Sequence, residues 1–147
     1  MTTKTSNGLM ALDVGDRRIG VAVANRIARL AHPYGTFIND ESIWQQIAAL
    51  VKAEDIGIIV VGLPRSLQSE DTGQTRSVRN FASELQKQTG LKVVFQDEAL
   101  TSRQAEAELR SRGKQFAKGE IDALAATYIL EDYLANAGSI DSMEAQT

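Results

Sequence analysis

Residues 9–24, LMALDVGDRRIGVAVA, decide how the rest of the chain is read. Leu9 to Val14 is a short apolar run broken by a single acid, Asp13, and predicts a buried strand. Gly15-Asp16 is a turn pair. After it, Ile19, Val21 and Val23 alternate with Gly20, Ala22 and Ala24. A period of two marks a second strand, and so short a turn makes the pair an antiparallel hairpin. One face of that second strand is β-branched. The other is made of residues small enough for a helix to pack closely on it.

Working outward, a weaker third strand is expected over 35–38. Asn39 or Asp40 can cap a helix carrying Ile43, Ile47, Leu50 and Val51 at helical spacing, with Glu41 in its first turn. IGIIVV, residues 56–61, is continuously apolar, as expected of a strand covered on both faces. Val78, Phe81 and Leu85 mark a second helix, which Gly90 closes at a C′ position. Leu91 to Phe95 is another strand. Thr101 and Gln104 fit a capping box for a helix through about Leu109. The basic stretch at 110–119 reads as a loop, and a final helix runs from Glu120 to about Leu134. The order ββ(β)αβαβαα predicts an α/β fold: a mixed five-stranded sheet with helices on both faces.

The 147 residues are enough for one core and too few for two ordinary domains. A single domain is therefore expected over 1–147, its core at about 8–136, between a polar N-terminus and a disordered tail. No apolar run reaches the length of a membrane span, and MTTKTSNG lacks the apolar stretch of a secretory signal, so a cytoplasmic protein is expected. Cysteine is absent and His32 is the only histidine, which removes thiol chemistry and the usual zinc sites. His32 precedes Pro33 in an expected loop and is read as structural or incidental. A net charge of −3 argues against a protein that coats nucleic acid but allows a locally basic groove.

The chemistry must then come from oxygen and nitrogen donors. Asp13 interrupts an apolar strand, where a carboxylate is costly unless paired, protonated or bound to a cation. Hydrogen bonds to the turn amides would explain it equally well. Glu98 follows the strand ending near Gln96, on the side of the sheet where α/β ligands collect, and its neighbour Asp97 could be the working acid instead. Asp122 lies in the first turn of the last helix, where the dipole alone favours an acid. It is also collinear with Ala126, Ile129 and Tyr133. Three converging acids would repel one another, and hard divalent cations with oxygen ligands resolve that conflict. Two such cations about 4 Å apart can activate water and stabilise a leaving oxygen in phosphodiester cleavage.

Four segments carry a resemblance: ALDVGDRRIGVAVA, VVGLPRSL with TGQTRSVRNFASEL, DEALTS, and KGEIDALAATYILEDYL. In order and spacing they resemble the successive motifs of the bacterial pre-16S ribosomal RNA nuclease family, formerly assigned as Holliday-junction resolvases. The resemblance spans about residues 8–136 and implies an RNase H-like fold. It further implies a nuclease dependent on Mg²⁺ or Mn²⁺, acting in maturation of the 16S rRNA 5′ end. By the family pattern Asp13, Glu98 and Asp122 are the catalytic and metal-binding acids. The chain departs from it at Ala99, where an arginine is common, and at Arg65-Ser66-Leu67.

Arg17, Arg18, Arg76, Arg79, Lys114 and Lys118 could flank such a site and neutralise phosphates, giving affinity without base readout. For any one of them a solvated helix face is the plainer reading. The expected partner is structured RNA, a pre-16S rRNA or pre-ribosomal particle, bound by a monomer or weak homodimer. A resolvase for branched DNA is the alternative within the same chemistry, and would need a symmetric dimer. Two further alternatives are a non-catalytic ribosome-assembly factor and an ATP-binding fold of the actin and sugar-kinase type. The latter needs two domains.

Overall fold

A computed structural model of the chain describes residues 6–63, 73–97, 101–111 and 118–136. Nine elements follow in order: β1 (Gly8–Val14), β2 (Arg18–Asn25), β3 (His32–Ile38), α1 (Ile43–Ala53), β4 (Ile56–Leu63), α2 (Gly73–Thr89), β5 (Lys92–Asp97), α3 (Thr101–Ser111) and α4 (Lys118–Ala135). The strands form a five-stranded sheet in the order β3-β2-β1-β4-β5. β1–β2 and β2–β3 are antiparallel, whereas β1–β4 and β4–β5 are parallel. The mixed sheet expected from the sequence is the one observed.

Alternation along the strands divides the interior in two. Met10, Leu12 and Val14 of β1, with Ile19, Val21 and Val23 of β2, face α1 and α2, where they meet Ile43, Ile47, Leu50, Val78, Ala82 and Leu85. The opposite face carries Leu9, Ala11, Ala22, Ala24, Ile58 and Val60, and is covered by Ala126, Ile129, Leu130 and Tyr133 of α4. Each large side chain so buried contributes about 1.5–3 kcal/mol. The small residues of β2 do what their pattern predicts: they let α4 lie close to the sheet.

Several expectations change at element ends. β3 begins at His32 rather than at residue 35, so His32 is a strand residue and not a loop residue. Pro33 is tolerated because β3 is an edge strand and its pairing with β2 is irregular between Val21 and Ala22. α1 is preceded by Ser42, not capped by Asn39 or Asp40. The Asp40 carboxylate instead accepts bonds from the Ser42 hydroxyl (2.6 Å) and amide (2.9 Å), which hold its pKa below the ordinary value. Asn39 turns away and donates from Nδ2 to the Gly15 carbonyl at 2.8 Å, tying the β1–β2 turn to β3. Gly90, by contrast, has φ +69° and closes α2 as expected, its amide reaching the Gln86 carbonyl at 2.8 Å. The loop expected over 110–119 is shorter at both ends, since α3 runs on through Arg110 to Ser111 and α4 begins at Lys118 rather than Glu120. Residues 112–117 between them, the polar terminus before residue 6 and the tail after 136 lie outside the described residues, as do Arg65, Ser66, Leu67 and Ala99.

Candidate active site

Asp13 has the alternation of Leu9 and Ala11, so it projects on the α4 face of β1, one residue before the strand ends. Its register partner on β2 is Gly20. On the other side, β1 pairs in parallel with β4 through Leu12 and Val61, and the next step of that register sets Asp13 beside Gly62. A half-buried carboxylate thus stands at the end of β1 with a glycine in register on each neighbouring strand.

Gly20 does more than make room. A Cβ built on it would come within 1.9 Å of the Asp122 carbonyl oxygen, 2.3 Å of its carbon and 2.9 Å of its Cβ. The first turns of α4 therefore rest directly on β2, at the residue that pairs with Asp13. Thr36 of β3 secures the same end by donating from Oγ1 to the Gly119 carbonyl at 2.8 Å. Local sequence offers no sign of that last contact. Asp13 and Asp122, 109 positions apart in the chain, are brought to one face and one end of the sheet.

The face assignment also separates the two neighbouring acids at the end of β5. Val94 packs beneath α4, whereas Val93 and Phe95 pack in the opposite core. Asp97 shares the alternation of Val93 and Phe95, and so lies on the face away from Asp13. Glu98 lies outside the described residues. Among the described residues no group of three His, Cys, Asp or Glu side chains is assembled. The two acids that are described, Asp13 and Asp122, are hard oxygen donors of the kind that fits Mg²⁺ or Mn²⁺.

The basic residues divide in the same way. Arg18 opens β2 with the alternation of Gly20, and its Nε donates to Asp122 Oδ2 at 2.7 Å. Arg17 is exposed beside it, its carbonyl accepting the Asn39 amide. Arg79 lies on the other side of the sheet, its guanidinium 5.5 Å from the centre of the Phe95 ring. Arg76 is exposed on the same helix, α2, whose buried Val78, Ala82 and Leu85 belong to the core on that side. Lys114 and the side chain of Lys118 lie outside the described residues. His32 pairs with Val23, at the end of β2 remote from Gly20.

Beside α4 a cleft of about 500 Å³ opens between β3, α3 and α4, lined by Tyr34, Thr36, Leu109, Gly119 and Ala123 among others. It runs along the helix start that carries Asp122.

Comparison with known proteins agrees with this architecture. The RuvX family model, described as Holliday junction resolvase, matches residues 7–136. The chain belongs to the RuvX family. A Chloroflexus aurantiacus protein named "Putative pre-16S rRNA nuclease" is 43% identical over 131 residues, covering 86% of this chain and 85% of its own. A Sulfurihydrogenibium protein of the same name is 37% identical over 128 residues, covering 86% and 88%. Among solved structures, Thermus thermophilus RuvC in complex with a Holliday junction substrate superposes with TM-score 0.56 at 14% identity, covering 90% of this chain and 96% of its own. The fowlpox virus resolvase bound to Holliday junction DNA gives 0.53 at 9% identity, covering 88% and 98%. At such identities the likeness concerns the fold, and that fold is RNase H-like. For this RuvX-family chain, no helix among the described residues is long and apolar enough to cross a membrane.

Proposed function

We propose that this RuvX-family protein is a metal-dependent phosphodiester hydrolase acting in the cytoplasm on the 5′ end of pre-16S rRNA. The observation that carries the reading is the placement of Asp13 and Asp122 on one sheet face around Gly20, Asp13 as its register partner and Asp122 with its backbone against it. The names of relatives at 37–43% identity support the RNA substrate.

Asp13, Glu98 and Asp122 are the proposed ligands. A divalent cation held there would polarise a water for attack and stabilise the departing oxygen. The chain's own residues have simpler tasks. Asp13, at the end of β1 and between glycines in register, would hold the cation on the α4 face. Gly20 fixes the height of Asp122 above the sheet. Arg17, Arg18, Lys114 and Lys118 are proposed to neutralise phosphates, which supplies affinity without base specificity. Arg76 and Arg79 receive no such role, because α2 packs on the other face.

The description of the family model favours a second reading, a resolvase for four-way DNA junctions. Purified protein with Mg²⁺ or Mn²⁺ is assayed on a precursor rRNA fragment and on a synthetic junction. Cleavage of the RNA with the junction intact is expected. Paired symmetric nicks in the junction, with the RNA untouched, would reverse the assignment.

A further inference from the structure

Arg18 and Asp122 lie 104 residues apart, yet Nε meets Oδ2 at 2.7 Å. Neither group is sealed in: the Arg18 side chain is 38% exposed and that of Asp122 is 22% exposed. Both backbones are held, Arg18 in β2 and Asp122 against Gly20, and the longer, more exposed Arg18 side chain is the one with room to swing away. The contact is through Nε, not the paired donors of a bidentate fork, and a single bond near solvent exchanges readily. A second carboxylate, Asp13, shares this face.

The protein itself thus offsets the charge of one of the two carboxylates, that of Asp122. A guanidinium never loses its charge, and it competes with a divalent cation for the same carboxylate lone pairs. The geometry points to Arg18 as an exchangeable counter-ion. It holds Asp122 while no divalent cation is bound, and is released toward a substrate phosphate when a cation takes the carboxylate. The inference rests on reading Asp13 and Asp122 as cation ligands.

Two consequences separate this role from that of a fixed brace. A brace would orient Asp122 for the cation, so its removal would weaken cation binding. A counter-ion competes, so its removal strengthens binding. Because the pair is partly exposed, the change is modest, about three- to tenfold. The cation-free protein also loses a partner for Asp122 when Arg18 is removed, and saturating cation restores it.

The test is a Mn²⁺ titration followed by electron paramagnetic resonance, on the full chain without nucleic acid. Arg18→Gln is expected to bind Mn²⁺ about three- to tenfold more tightly than wild type, and Asp122→Asn at least about tenfold more weakly. The double variant should match Asp122→Asn. In thermal melts, Arg18→Gln should fall below wild type without metal and converge on it at saturating Mn²⁺. If Arg18→Gln fails to fold, Arg18→Met, which keeps the aliphatic stem, replaces it. Unchanged or weaker Mn²⁺ binding by the Arg18 variant, with Asp122→Asn impaired, overturns the exchange and leaves the cation site standing. Wild-type Mn²⁺ binding by Asp122→Asn overturns the cation site itself, and the exchange with it.

Discussion

Gly20 of β2 lies against the backbone of Asp122, so close that a single added methyl group would sit 1.9 Å from the carbonyl oxygen of that residue. The obstacle is backbone, not the end of a flexible side chain, and α4 would have to lift as a unit. Gly20→Ala is therefore expected to destabilise the fold by about 3 kcal/mol, at the upper end of overpacking effects, and to move Asp122 away from Asp13. Gly35 of β3 is the control, since a Cβ there meets nothing within 4 Å. Gly35→Ala should stay within about 0.5 kcal/mol of wild type. Urea denaturation of both variants measures the difference, and equal midpoints would show that α4 does not rest on β2 as described.

Asp13→Asn keeps the shape of the side chain and removes its charge. If Asp13 holds the reacting cation, cleavage of precursor rRNA should fall by about 10²- to 10³-fold or more. Folding and RNA affinity should stay near wild type, because Asp13 is only half-buried and asparagine keeps its shape and hydrogen-bonding oxygen. Undiminished cleavage by the folded variant would remove Asp13 from the mechanism.

Much of this architecture is written in local sequence, because it depends on local periodicity. The alternation of Ile19, Val21 and Val23 with Gly20, Ala22 and Ala24 predicts which face of β2 receives a helix, and α4 packs on that face. Ala126, Ile129 and Tyr133, aligned with Asp122 by helical spacing, are all buried. What local pattern does not contain is the partner of a residue a hundred positions away. Arg18 reads as a phosphate ligand near Asp13, and its bond to Asp122 emerges only when α4 docks. Likewise the face occupied by Arg76 and Arg79 is fixed by where α2 packs, not by their proximity in sequence to a glycine-ended strand. The choice between Asp97 and Glu98 is half legible. Strand alternation assigns Asp97 to the far face, and Glu98 rests on the family motif.

Arg79 should behave as a structural residue. Its guanidinium over the Phe95 ring is worth about 0.5–1 kcal/mol, so Arg79→Ala should lower the melting midpoint by about 2–4 °C. Cleavage of precursor rRNA by the folded variant should remain within about twofold of wild type, as for other changes that leave the site intact. A large drop in RNA affinity at unchanged stability would instead bring the α2 side of the sheet into the binding surface.

Glu131 of α4 offers a test that depends on pH. Burial, followed by repulsion from Glu108 and Asp132, raises its pKa above the ordinary 4.5. The folded state therefore holds the proton more tightly than the unfolded chain, and stability falls as pH rises from 4.5 through the raised value. At neutral pH the ionised carboxylate is a net burden that glutamine does not carry. Since the side chain is largely solvated, the effect is small. Glu131→Gln should raise the melting midpoint by about 1–2 °C at pH 7.5, corresponding to less than about 0.5 kcal/mol. That advantage should vanish in melts at about pH 4, where the wild-type residue is itself largely neutral. A gain that persists unchanged in acid would trace to packing against α3 rather than to charge, and no gain at either pH would show that Glu131 is fully hydrated in the folded protein.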